Sequence, residues 1–513
     1  MIRLFVLLTC LWPNLAISEV TFADRSNSVS APHIYDGGWE HFVGGGTAIF
    51  DCNADGKLDI FAAGGSEKSH LYENQITQDE WHLRDTGFDP GVHAIGAYPM
   101  DFDSDGIMDL FILRVGENKI FKGVGDCKFA DAPRGWGFIP PDRWSTAFSA
   151  TWEPGNDWPT LAVGNYVDRT NSDGPFGACD VNELYRPSGH AYLERQDLHP
   201  GFCALSILFS DWSRSGHADL RLSNDRHYYV VGGSEQMYRL NQERFLDESD
   251  GWESISIWGM GIASHDITGD LRPDVYLTSM ADQLMQLSTK DGFTAAPYSI
   301  GTYAQRPFVG DDGRPSTGWH AVFEDIDNDG RQDLFVTKGN VDQMPSNAMR
   351  DPNNLMMQNA DGVFHEVADI AGIATTERSR GAGVADLDND GRLDIVVVNR
   401  RAGLEVYQNT TLDTGNWVSI TPRQAGPNTF AVGSWIEVRN ETNRRQTKEV
   451  TIGGGHASGI AGPAHFGLGA HDTAEVRILW PNGTTSNWTA VEINRRASVW
   501  PTRTDEIEIR YSE

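Results

Sequence analysis

Asp325-Ile-Asp-Asn-Asp-Gly-Arg-Gln-Asp333, followed at once by the apolar run Leu-Phe-Val336, is the stretch of sequence that decides the fold. The phrase joins an acidic loop to a β-type strand, and it recurs along the 513-residue chain. The seven copies begin at Asp51, Asp101, Thr151, Asp211, Asp266, Asp325 and Asp386. Their starts lie 50 to 61 residues apart, which suits a repeating unit of four short strands with their loops.

Segments rich in small residues precede the acidic loops, as in residues 44–50, 259–264 and 381–385. Glycine and alanine let backbones approach closely, which the innermost strands of a propeller require around the central axis. We therefore predict an all-β fold in which a seven-bladed β-propeller spans residues 19–412. A small β domain and a C-terminal tail are expected over residues 413–513.

The two ends of the repeat region predict how the ring of blades closes. The outer-strand phrase Phe-Ala-Asp begins at Phe22 as well as at Phe129, but no inner strands precede the first of these. The last repeat leaves the pattern after Asn409. The N-terminal segment is thus placed to supply the missing outer strand of the last blade, which would leave no sheet edge exposed.

The acidic loops follow the pattern D-x-[DN]-x-D-G-x-x-D, in which side chains at positions 1, 3, 5 and 9 and the carbonyl at position 7 can surround one point. Such an all-oxygen anionic cage suits Ca²⁺ better than Mg²⁺, because Ca²⁺ accepts roughly six to eight oxygens with loose geometry. An EF-hand does not fit, because position 12 is Ala62, Ile112, Val336 or Val397 instead of glutamate. Metal-free Asp-Gly turns are the alternative, but carboxylates packed together without a cation repel each other.

The sequence therefore predicts four calcium sites and a fifth, weaker one, each joining two strands of a blade. The ligands expected at the four sites are Asp51, Asn53, Asp55, Lys57 and Asp59; Asp101, Asp103, Asp105, Ile107 and Asp109; Asp325, Asp327, Asp329, Arg331 and Asp333; and Asp386, Asp388, Asp390, Arg392 and Asp394. The fifth loop lacks the glycine and offers Asp266, Thr268, Asp270 and Asp274. The copy at Asp211 keeps only two carboxylates, and the ligand pattern at Thr151 is broken.

Residues 1–18 at the N-terminus have the pattern of a secretory signal peptide. Arg3 supplies the positive charge, residues 4–11 are apolar, and Ala16 and Ser18 are small residues at the spacing of a cleavage site. The apolar run is far shorter than the roughly 20 residues that a membrane span needs. We expect cleavage near Ser18 and a secreted, extracellular or periplasmic, mature protein.

Removal of the signal removes Cys10 and leaves Cys52, Cys127, Cys179 and Cys203. An even number of cysteines in an exported protein favours two disulfides. Four cysteines allow three pairings, among which we favour Cys52–Cys127 with Cys179–Cys203. The chain has no CxxC motif, so thiol redox chemistry and a zinc knuckle are not indicated.

The charge balance limits the kinds of partner. Acidic residues number 72 against 41 basic ones, which gives a net charge of -31. Such a surface repels nucleic acid and anionic membranes and suits cations. We expect a monomer that binds an extracellular protein or glycan, and neither nucleic acid nor membrane insertion.

The repeats resemble the FG-GAP/VCBS propeller repeats of integrin α subunits and of many bacterial secreted proteins. The C-terminal stretch, with Gly453-Gly-Gly-His-Ala-Ser-Gly459, His465-Phe-Gly-Leu-Gly469 and Glu475-Val-Arg-Ile-Leu-Trp-Pro-Asn-Gly483, resembles the ASPIC/UnbV domain. Alternating residues, as in Trp417-Val-Ser-Ile-Thr421, independently predict strands there and a small β sandwich or barrel leaning on the propeller. The combination resembles the cartilage acidic protein family in its bacterial form, which implies an extracellular calcium-binding protein with adhesion or receptor-interaction roles. No cysteine lies beyond Cys203, so the EGF-like module of animal members is not carried over.

These features favour an interaction protein over an enzyme. The chain has no GxSxG or HExxH motif, and His456 and His465 lie nine residues apart without an evident third ligand, which favours a structural role for both. Glu324 and His265 immediately precede acidic loops and could either point into the central channel or support packing. A propeller enzyme that cleaves polysaccharides is the alternative function, and fold analogy is its only basis.

Overall fold

The computed structural model describes residues 19–172, 177–225, 232–290, 292–303 and 313–512. The expected signal peptide, residues 1–18, lies outside the described residues. In the described ranges the fold is all-β, with 37 strands and no α-helix. Short 3-10 helices lie at Ser26–Ser28, Trp39–His41, Arg134–Trp136, Glu248–Asp250 and Tyr298–Ile300. Among these residues no helix is long and apolar enough to cross a membrane.

After a first strand, β1 (Phe22–Asp24), the chain forms six antiparallel meanders of four strands each. Their strands are β2 (Thr47–Phe50), β3 (Asp59–Ala62), β4 (His70–Asn74) and β5 (Leu83–Asp85); β6 (Ala94–Met100), β7 (Asp109–Gly116), β8 (Lys119–Gly123) and β9 (Phe129–Asp131); β10 (Arg143–Thr151), β11 (Thr160–Asn165), β12 (Asn182–Tyr185) and β13 (Gln196–Leu198); β14 (Ala204–Ser210), β15 (Asp219–Asn224), β16 (Gln236–Arg239) and β17 (Arg244–Phe245); β18 (Gly259–His265), β19 (Asp274–Ser279), β20 (Leu284–Thr289) and β21 (Gly292–Ala295); and β22 (Gly318–Glu324), β23 (Asp333–Lys338), β24 (Asn354–Gln358) and β25 (Phe364–Glu366).

A seventh meander consists of β26 (Arg378–Ala385), β27 (Asp394–Arg400) and β28 (Glu405–Asn409), with β1 as its outer strand. β1 pairs antiparallel with β28, and Phe22 stands opposite Asn409. The backbone N–H of Phe22 also donates to the carbonyl of Ala371, beyond β25, at 3.0 Å. The predicted closure by the N-terminal strand is confirmed.

The first strands of the seven meanders lie side by side in a closed circle. Each of β2, β6, β10, β14, β18 and β22 contacts the first strand of the next meander, and β26 contacts β2. The apolar faces of neighbouring sheets pack against each other between these strands, so every meander shares its core with two neighbours. We call this arrangement the ring.

The C-terminal residues form two further four-stranded sheets. Their strands, together with the short strand β32, are β29 (Asn416–Pro422), β30 (Trp435–Asn440), β31 (Arg445–Glu449), β32 (Gly459–Ala461), β33 (Ala464–Gly469), β34 (Ala474–Leu479), β35 (Thr489–Val491), β36 (Arg495–Pro501) and β37 (Ile507–Tyr511). One sheet has the order β33-β29-β36-β37 and the other β31-β30-β34-β35. Alternate residues of both sheets, such as Val418 and Val476, are fully buried in one shared core. We call these two sheets the C-terminal domain.

The C-terminal domain does not only pack against the ring, because one of the connections between its strands enters the centre of the ring. Residues 451–461, which we call the axial segment, run along the first strands of the ring. β32 pairs in parallel with β2, and Ser458 forms a parallel bridge with Ala97 of β6. Ile452 bridges Ala150 of β10. The segment therefore occupies the centre of the ring beside its first three sheets.

The remaining four sheets meet the same segment. Gly453 bridges Leu208 of β14, and Gly455 bridges Ile262 of β18. The backbone N–H of His456 donates to Nδ1 of His320 in β22 at 3.0 Å. On the seventh sheet, a methyl group placed on Gly383 of β26 would lie 3.7 Å from Cδ1 of Ile460. All seven first strands thus contact one glycine-rich stretch of the C-terminal domain.

Two disulfides join the cysteines in the favoured pairing. Cys52 is bonded to Cys127, with their Cα atoms 4.7 Å apart, and this links the first acidic loop to the second meander. Cys179 is bonded to Cys203, with their Cα atoms 4.9 Å apart. The prediction of two disulfides in this pairing is confirmed.

Candidate metal centres and the domain junction

Each of the seven acidic copies lies between the first and second strands of a meander, and the loop at Asp386 illustrates the local geometry. The Asp386 carboxylate accepts hydrogen bonds from the backbone N–H groups of Asp390 (3.1 Å) and Gly391 (3.0 Å). At position 9, the Asp394 carboxylate accepts from the N–H groups of Leu387 and Asn409, both at 2.9 Å. The aspartates at positions 1 and 9 therefore fix the loop and tie it to the second and third strands.

Position 6 of the loop adopts a left-handed conformation, which explains the glycine there. Gly391 has φ 87°, a value that costs glycine little and other residues more. The fifth loop keeps the same conformation without glycine, since Leu271 has φ 69°. Its Asp266 carboxylate still accepts hydrogen bonds from Gly269 (2.7 Å) and Leu271 (2.8 Å). The fifth copy therefore folds like the complete ones despite its altered sequence.

In three loops the carboxylates at positions 1, 3 and 9 come together. In each group, one carboxylate oxygen from every member lies within 4.8 Å of the others. The three groups are Asp101, Asp103 and Asp109; Asp325, Asp327 and Asp333; and Asp386, Asp388 and Asp394. An all-carboxylate donor set of this size suits a hard cation such as Ca²⁺.

Two of these groups contain a buried oxygen that has no partner among the described residues. Lys122 contacts the Oδ2 atom of Asp103, and Gln408 donates to Oδ2 of Asp388 at 2.8 Å. The Oδ1 atoms of both aspartates are buried and have no hydrogen-bond partner in the described part of the chain. A buried carboxylate oxygen without a donor is costly, and a cation held at positions 1, 3 and 9 would satisfy it. The residues present therefore fit a bound calcium ion.

Burial and mutual repulsion disfavour the charged forms of these carboxylates. Burial, together with the neighbouring Asp103, raises the pKa of Asp109 to about 8. Burial, together with Asp388, raises the pKa of Asp394 well above its usual range. These carboxyl groups would ordinarily ionise near pH 4, so charging them here without a nearby cation costs free energy.

The other expected ligands lie differently. At position 5, Asp105 pairs with Lys122 at 2.7 Å, and Asp329 and Asp390 pair with the arginines at position 7 of their own loops. Their carboxylates also accept the backbone N–H of position 7, as from Ile107 at 2.9 Å. The position 5 aspartates therefore lie outside the groups formed by positions 1, 3 and 9.

The first and fifth loops gather fewer carboxylates. In the first loop Asp51 accepts from Gly56 at 2.9 Å and Asp59 accepts from Cys52 at 2.8 Å, as in the other three complete copies. Position 3 is Asn53, whose amide donates to Asp55 at 3.1 Å. The acidic and cysteine side chains that meet at the first loop are those of Asp59 and the Cys52–Cys127 disulfide. In the fifth loop Thr268 takes position 3, and no third carboxylate joins Asp266 and Asp274 in the residues that the structure covers.

The C-terminal domain contacts the loops themselves. Arg496 lies 2.9 Å from the Asp386 carboxylate and donates to the carbonyl of Gly56 at 3.1 Å. Thr429 donates its hydroxyl to the Asp101 carboxylate. His465 lies 2.6 Å from Oδ1 of Asn328, in the sixth loop. These contacts connect all four complete copies to one domain, and no single sequence motif indicates them.

The two histidines that the sequence singled out are structural. His456 is fully buried, and its Nε2 accepts the backbone N–H of Gly44 at 3.2 Å. His465 is buried between Asn328 and the Ser419 hydroxyl, which lies 3.0 Å from its Nδ1. Burial is the main reason that the pKa of His456 is lowered to about 3. Both side chains hold the C-terminal domain on the ring.

Glu324 and His265 face the junction between the ring and the C-terminal domain. Both line a cavity of about 210 Å³ beside the axial segment. The Glu324 carboxylate forms an ion pair with Lys448 of β31 at 2.6 Å. Burial keeps His265 neutral by lowering its pKa to about 3. The centre of the ring next to them is filled by the chain's own axial segment.

Comparison with known protein families agrees with these observations. The ASPIC and UnbV family matches residues 424–506, and the FG-GAP-like repeat family matches residues 51–112 and 325–397. The chain carries FG-GAP-like repeats followed by an ASPIC and UnbV domain. The matched repeats contain the four complete acidic loops, and the matched ASPIC and UnbV domain contains the axial segment, His456 and His465.

Two relatives of known name align with this chain over most of their length. The chain is 23% identical to mouse cartilage acidic protein 1 over 512 residues, which cover 91% of this chain and 74% of the mouse protein. It is 23% identical to the human cartilage acidic protein 1 over 514 residues, or 91% and 73% of the two chains. Among solved structures, BBS1N in complex with ARL6DN matches with a TM-score of 0.47 and 9% identity, over 77% of this chain and 99% of that one. The predicted resemblance to the cartilage acidic protein family is confirmed.

Proposed function

We propose that the chain is a secreted, calcium-binding interaction protein whose FG-GAP-like repeats form a seven-bladed β-propeller. One observation carries the calcium assignment. Carboxylates at positions 1, 3 and 9 converge to within 4.8 Å in three loops, and the buried Oδ1 atoms of Asp103 and Asp388 lack partners among the residues described. The seven meanders and the cyclic contacts of their first strands support the propeller.

In this proposal Ca²⁺ binds at the loops that begin at Asp101, Asp325 and Asp386. The aspartates at positions 1, 3 and 9 hold the ion, and the carbonyl of position 7 adds an oxygen. The loop at Asp51 is a fourth site in which Asn53 supplies the oxygen of position 3, and the loop at Asp266 is a weaker fifth. The bound ions neutralise carboxylates that burial would otherwise keep protonated, and so they stabilise the ring.

Thermal unfolding in calcium and in chelator tests this part. An ion present at 1,000 times its Kd stabilises the folded state by about 4 kcal/mol per site. Three sites would therefore add about 12 kcal/mol, and a chain of this size unfolds with roughly 1 kcal/mol per kelvin of entropy. We expect chelator to lower the melting temperature by about 12 °C and metal analysis to find at least three calcium ions. An unchanged melt with no bound calcium would refute the assignment.

Asp388→Asn sharpens the test, because it removes one negative charge from one loop and preserves its volume. We expect this variant to bind one calcium ion fewer and to lose roughly a third of the calcium-dependent stabilisation. Asp79→Asn is the matched control, since Asp79 is exposed and lies outside the loops. If both variants kept the same number of ions, position 3 would not be a ligand.

The export of the protein and its partner class are also part of the proposal. The two disulfides, the signal-like N-terminus and the similarity to cartilage acidic protein 1 support an oxidising, extracellular location. A net charge of -31 favours a protein or glycan partner with cationic groups over nucleic acid or an anionic membrane. Expression with the native N-terminus, followed by mass analysis of the mature chain, tests cleavage before Glu19.

A glycan array and a pull-down from cell-surface extracts, each run in calcium and in chelator, distinguish the two kinds of partner. Chelator-sensitive binding to either one supports the interaction function. Release of products from a polysaccharide would instead favour the enzyme alternative, although the axial segment lies in the ring centre, where a propeller enzyme would hold its substrate. We expect binding without turnover, and a monomer by light scattering.

A further inference from the structure

A cavity of about 430 Å³ lies between the second acidic loop and the sheet β33-β29-β36-β37 of the C-terminal domain. Its volume falls within the roughly 300–1,000 Å³ that small-molecule sites occupy. Gly106 lines it on the side of the ring. The residues of the C-terminal domain that line it include Arg423, Ser498, Trp500 and Arg510.

The alternation of β36 places Ser498 and Trp500 on the cavity side of the sheet. Their neighbours Ala497 and Val499 are buried in the core of the C-terminal domain, and successive residues of a strand point to opposite faces. Ser498 stands opposite Arg510 of β37, whose guanidinium lies 5.2 Å from the centre of the Trp500 ring. The sheet thus gives the cavity an aromatic ring, a hydroxyl group and a cation.

Arg423, which directly follows β29, supplies a second cation. Its guanidinium lies 3.6 Å from the centre of the Phe430 ring, and its backbone N–H donates to the carbonyl of Val499 at 2.8 Å. Among the described residues no acceptor receives a hydrogen bond from this guanidinium, and its nitrogen atoms are not among the fully enclosed ones. The side chain is half-buried. Arg423 therefore presents a fork of free N–H groups that solvent can reach.

The carboxylates of the second loop are engaged and lie behind the cavity wall. Asp101 accepts hydrogen bonds from the backbone N–H of Gly106 at 2.9 Å and from the Thr429 hydroxyl. Asp105 pairs with Lys122 at 2.7 Å. Neither carboxylate lines the cavity, and the calcium ion proposed for this loop would offset their charge. Within the described part of the chain, the charged groups of the wall itself are the two guanidinium groups.

Both guanidinium groups stay available to a ligand. Arg510 donates to the exposed Glu508 at 2.8 Å, and exposed pairs of this kind contribute little. Burial lowers the pKa of Arg423, whereas the charges of Asp101 and Asp51 oppose that change. An arginine stays protonated in proteins at neutral pH. The cavity therefore suits an anionic group.

The overall charge of the chain permits an anion at this place. Residues 413–513 carry 11 acidic and 10 basic side chains, so they contribute -1 to the net charge of -31 and the rest of the chain contributes -30. Charges more than about 8 Å away are largely screened at physiological ionic strength. The acidic ring therefore has little effect on a small anion held by the C-terminal domain.

We infer that this cavity binds a uronate, a sugar unit that carries a carboxylate, through Arg423, Trp500 and Ser498. The carboxylate accepts two parallel hydrogen bonds from Arg423, the geometry in which a guanidinium matches a carboxylate. The sugar ring lies against Trp500, and its hydroxyl groups exchange hydrogen bonds with Ser498 and Ser512. The acidic side chain of a peptide would offer the carboxylate without the ring and the hydroxyl groups. The inference narrows the partner of the proposed function to an acidic glycan and rests on that function for the class of partner.

Saturation-transfer NMR on the calcium-loaded full-length mature protein tests the inference. The probes are glucuronate and galacturonate, with glucose and galactose as neutral comparators and free glutamate as a carboxylate without a sugar ring. We expect saturable binding of at least one uronate, which Arg423→Gln weakens about tenfold or more. Arg423→Lys should recover only part of it, because an ammonium group lacks the planar fork. Arg503→Gln is the matched control, since Arg503 is an exposed arginine of the same domain outside the cavity.

Bound calcium and urea unfolding are measured on the same samples. Trp500→Leu keeps both arginines, so it decides the matter if Arg423→Gln loses calcium or stability as well as sugar. Three results would overturn the inference: no saturable binding of either uronate below about 50 mM, binding of glucose or glutamate as tight as that of the uronates, or binding that both Arg423→Gln and Trp500→Leu leave intact. Uronate binding through Arg423 by a protein that holds no calcium would instead refute the calcium assignment and support the present inference.

Discussion

The position of the axial segment predicts that a larger residue at Gly96 destabilises the protein. This glycine lies in β6, and a methyl group on its Cα would lie 2.8 Å from both the carbonyl carbon and the Cβ of Ala457, and closer still to the carbonyl oxygen. Carbon atoms in contact prefer about 3.5–4.0 Å, so either β6 or the axial segment must move by about 1 Å. The segment is held on several sides of the ring, which leaves it little room to do so.

We therefore expect Gly96→Ala to destabilise the protein by about 2–3 kcal/mol, the usual range for forced overpacking. Gly135→Ala is the matched control, because a methyl group there meets nothing within 4 Å and φ at Gly135 is not positive. Alanine at such a site stabilises by about 0.4–1 kcal/mol through the unfolded chain. The two single-methyl variants should thus differ by roughly 3 kcal/mol with opposite signs.

Equilibrium unfolding in urea, followed by tryptophan fluorescence in saturating calcium, measures both variants. The difference corresponds to about 3 °C in melting temperature for a chain of this size. Equal stability of Gly96→Ala and Gly135→Ala would mean that the channel is open at Ala457. In that case the axial segment would not fill the centre of the ring in solution.

Three more predictions concern the same architecture. Burial lowers the pKa of His320 to about 4 and of His456 to about 3, so both stay neutral in the folded protein, whereas the unfolded chain takes up protons below about pH 6.5. The stability that this difference provides is complete above that pH and falls by roughly 2 kcal/mol per imidazole at pH 5. His456→Gln should therefore flatten the pH profile of urea unfolding between pH 7 and 5. Deleting residues 19–24 removes β1 and exposes the edge of β28, so the melting temperature should fall and the protein should self-associate on gel filtration; a monomer with the parental melting temperature would contradict the closure. The double variant Cys52→Ser with Cys127→Ser opens a crosslink over 75 residues and should lose about 4 kcal/mol in urea unfolding, whereas no change would show that another interaction fixes the first loop.

Local features of this fold could be predicted from the sequence, because each repeat carries its own signals. The acidic loops, their glycine at position 6 and the apolar strands after Asp59, Asp109, Asp333 and Asp394 are adjacent in the chain, and the structure keeps them together. The closure by Phe22 was predictable for the same reason, since the phrase at that residue repeats an outer strand seen elsewhere. The convergence of positions 1, 3 and 9 then follows from the loop geometry.

The placement of the axial segment could not be predicted in this way. Gly453-Gly-Gly within the C-terminal domain reads as a flexible turn, and nothing in its composition says that it leaves its own sheets. The small residues of the first strands were the one sequence feature related to this placement. Gly46 and Gly96 each place their Cα against the backbone of Ala457, so the small residues attributed to crowding between first strands accommodate another chain segment instead.

The positions of the four complete loops in the ring connect predicted calcium binding to the docking of the C-terminal domain. Because β26 contacts β2, the sheets at the two ends of the repeat region are neighbours, and the loops at Asp325, Asp386, Asp51 and Asp101 form one unbroken arc. The C-terminal domain contacts each loop of this arc, through His465, Arg496 and Thr429. An ion that orders such a loop also orders the surface on which the domain rests, so calcium bound in the arc would stabilise the docked domain and, through it, the axial segment. The loops of the other three sheets lack complete ligand sets. The arc therefore fastens the domain along four loops, and the loop at Asp211 adds an ion pair between Arg214 and Glu437 at 2.8 Å.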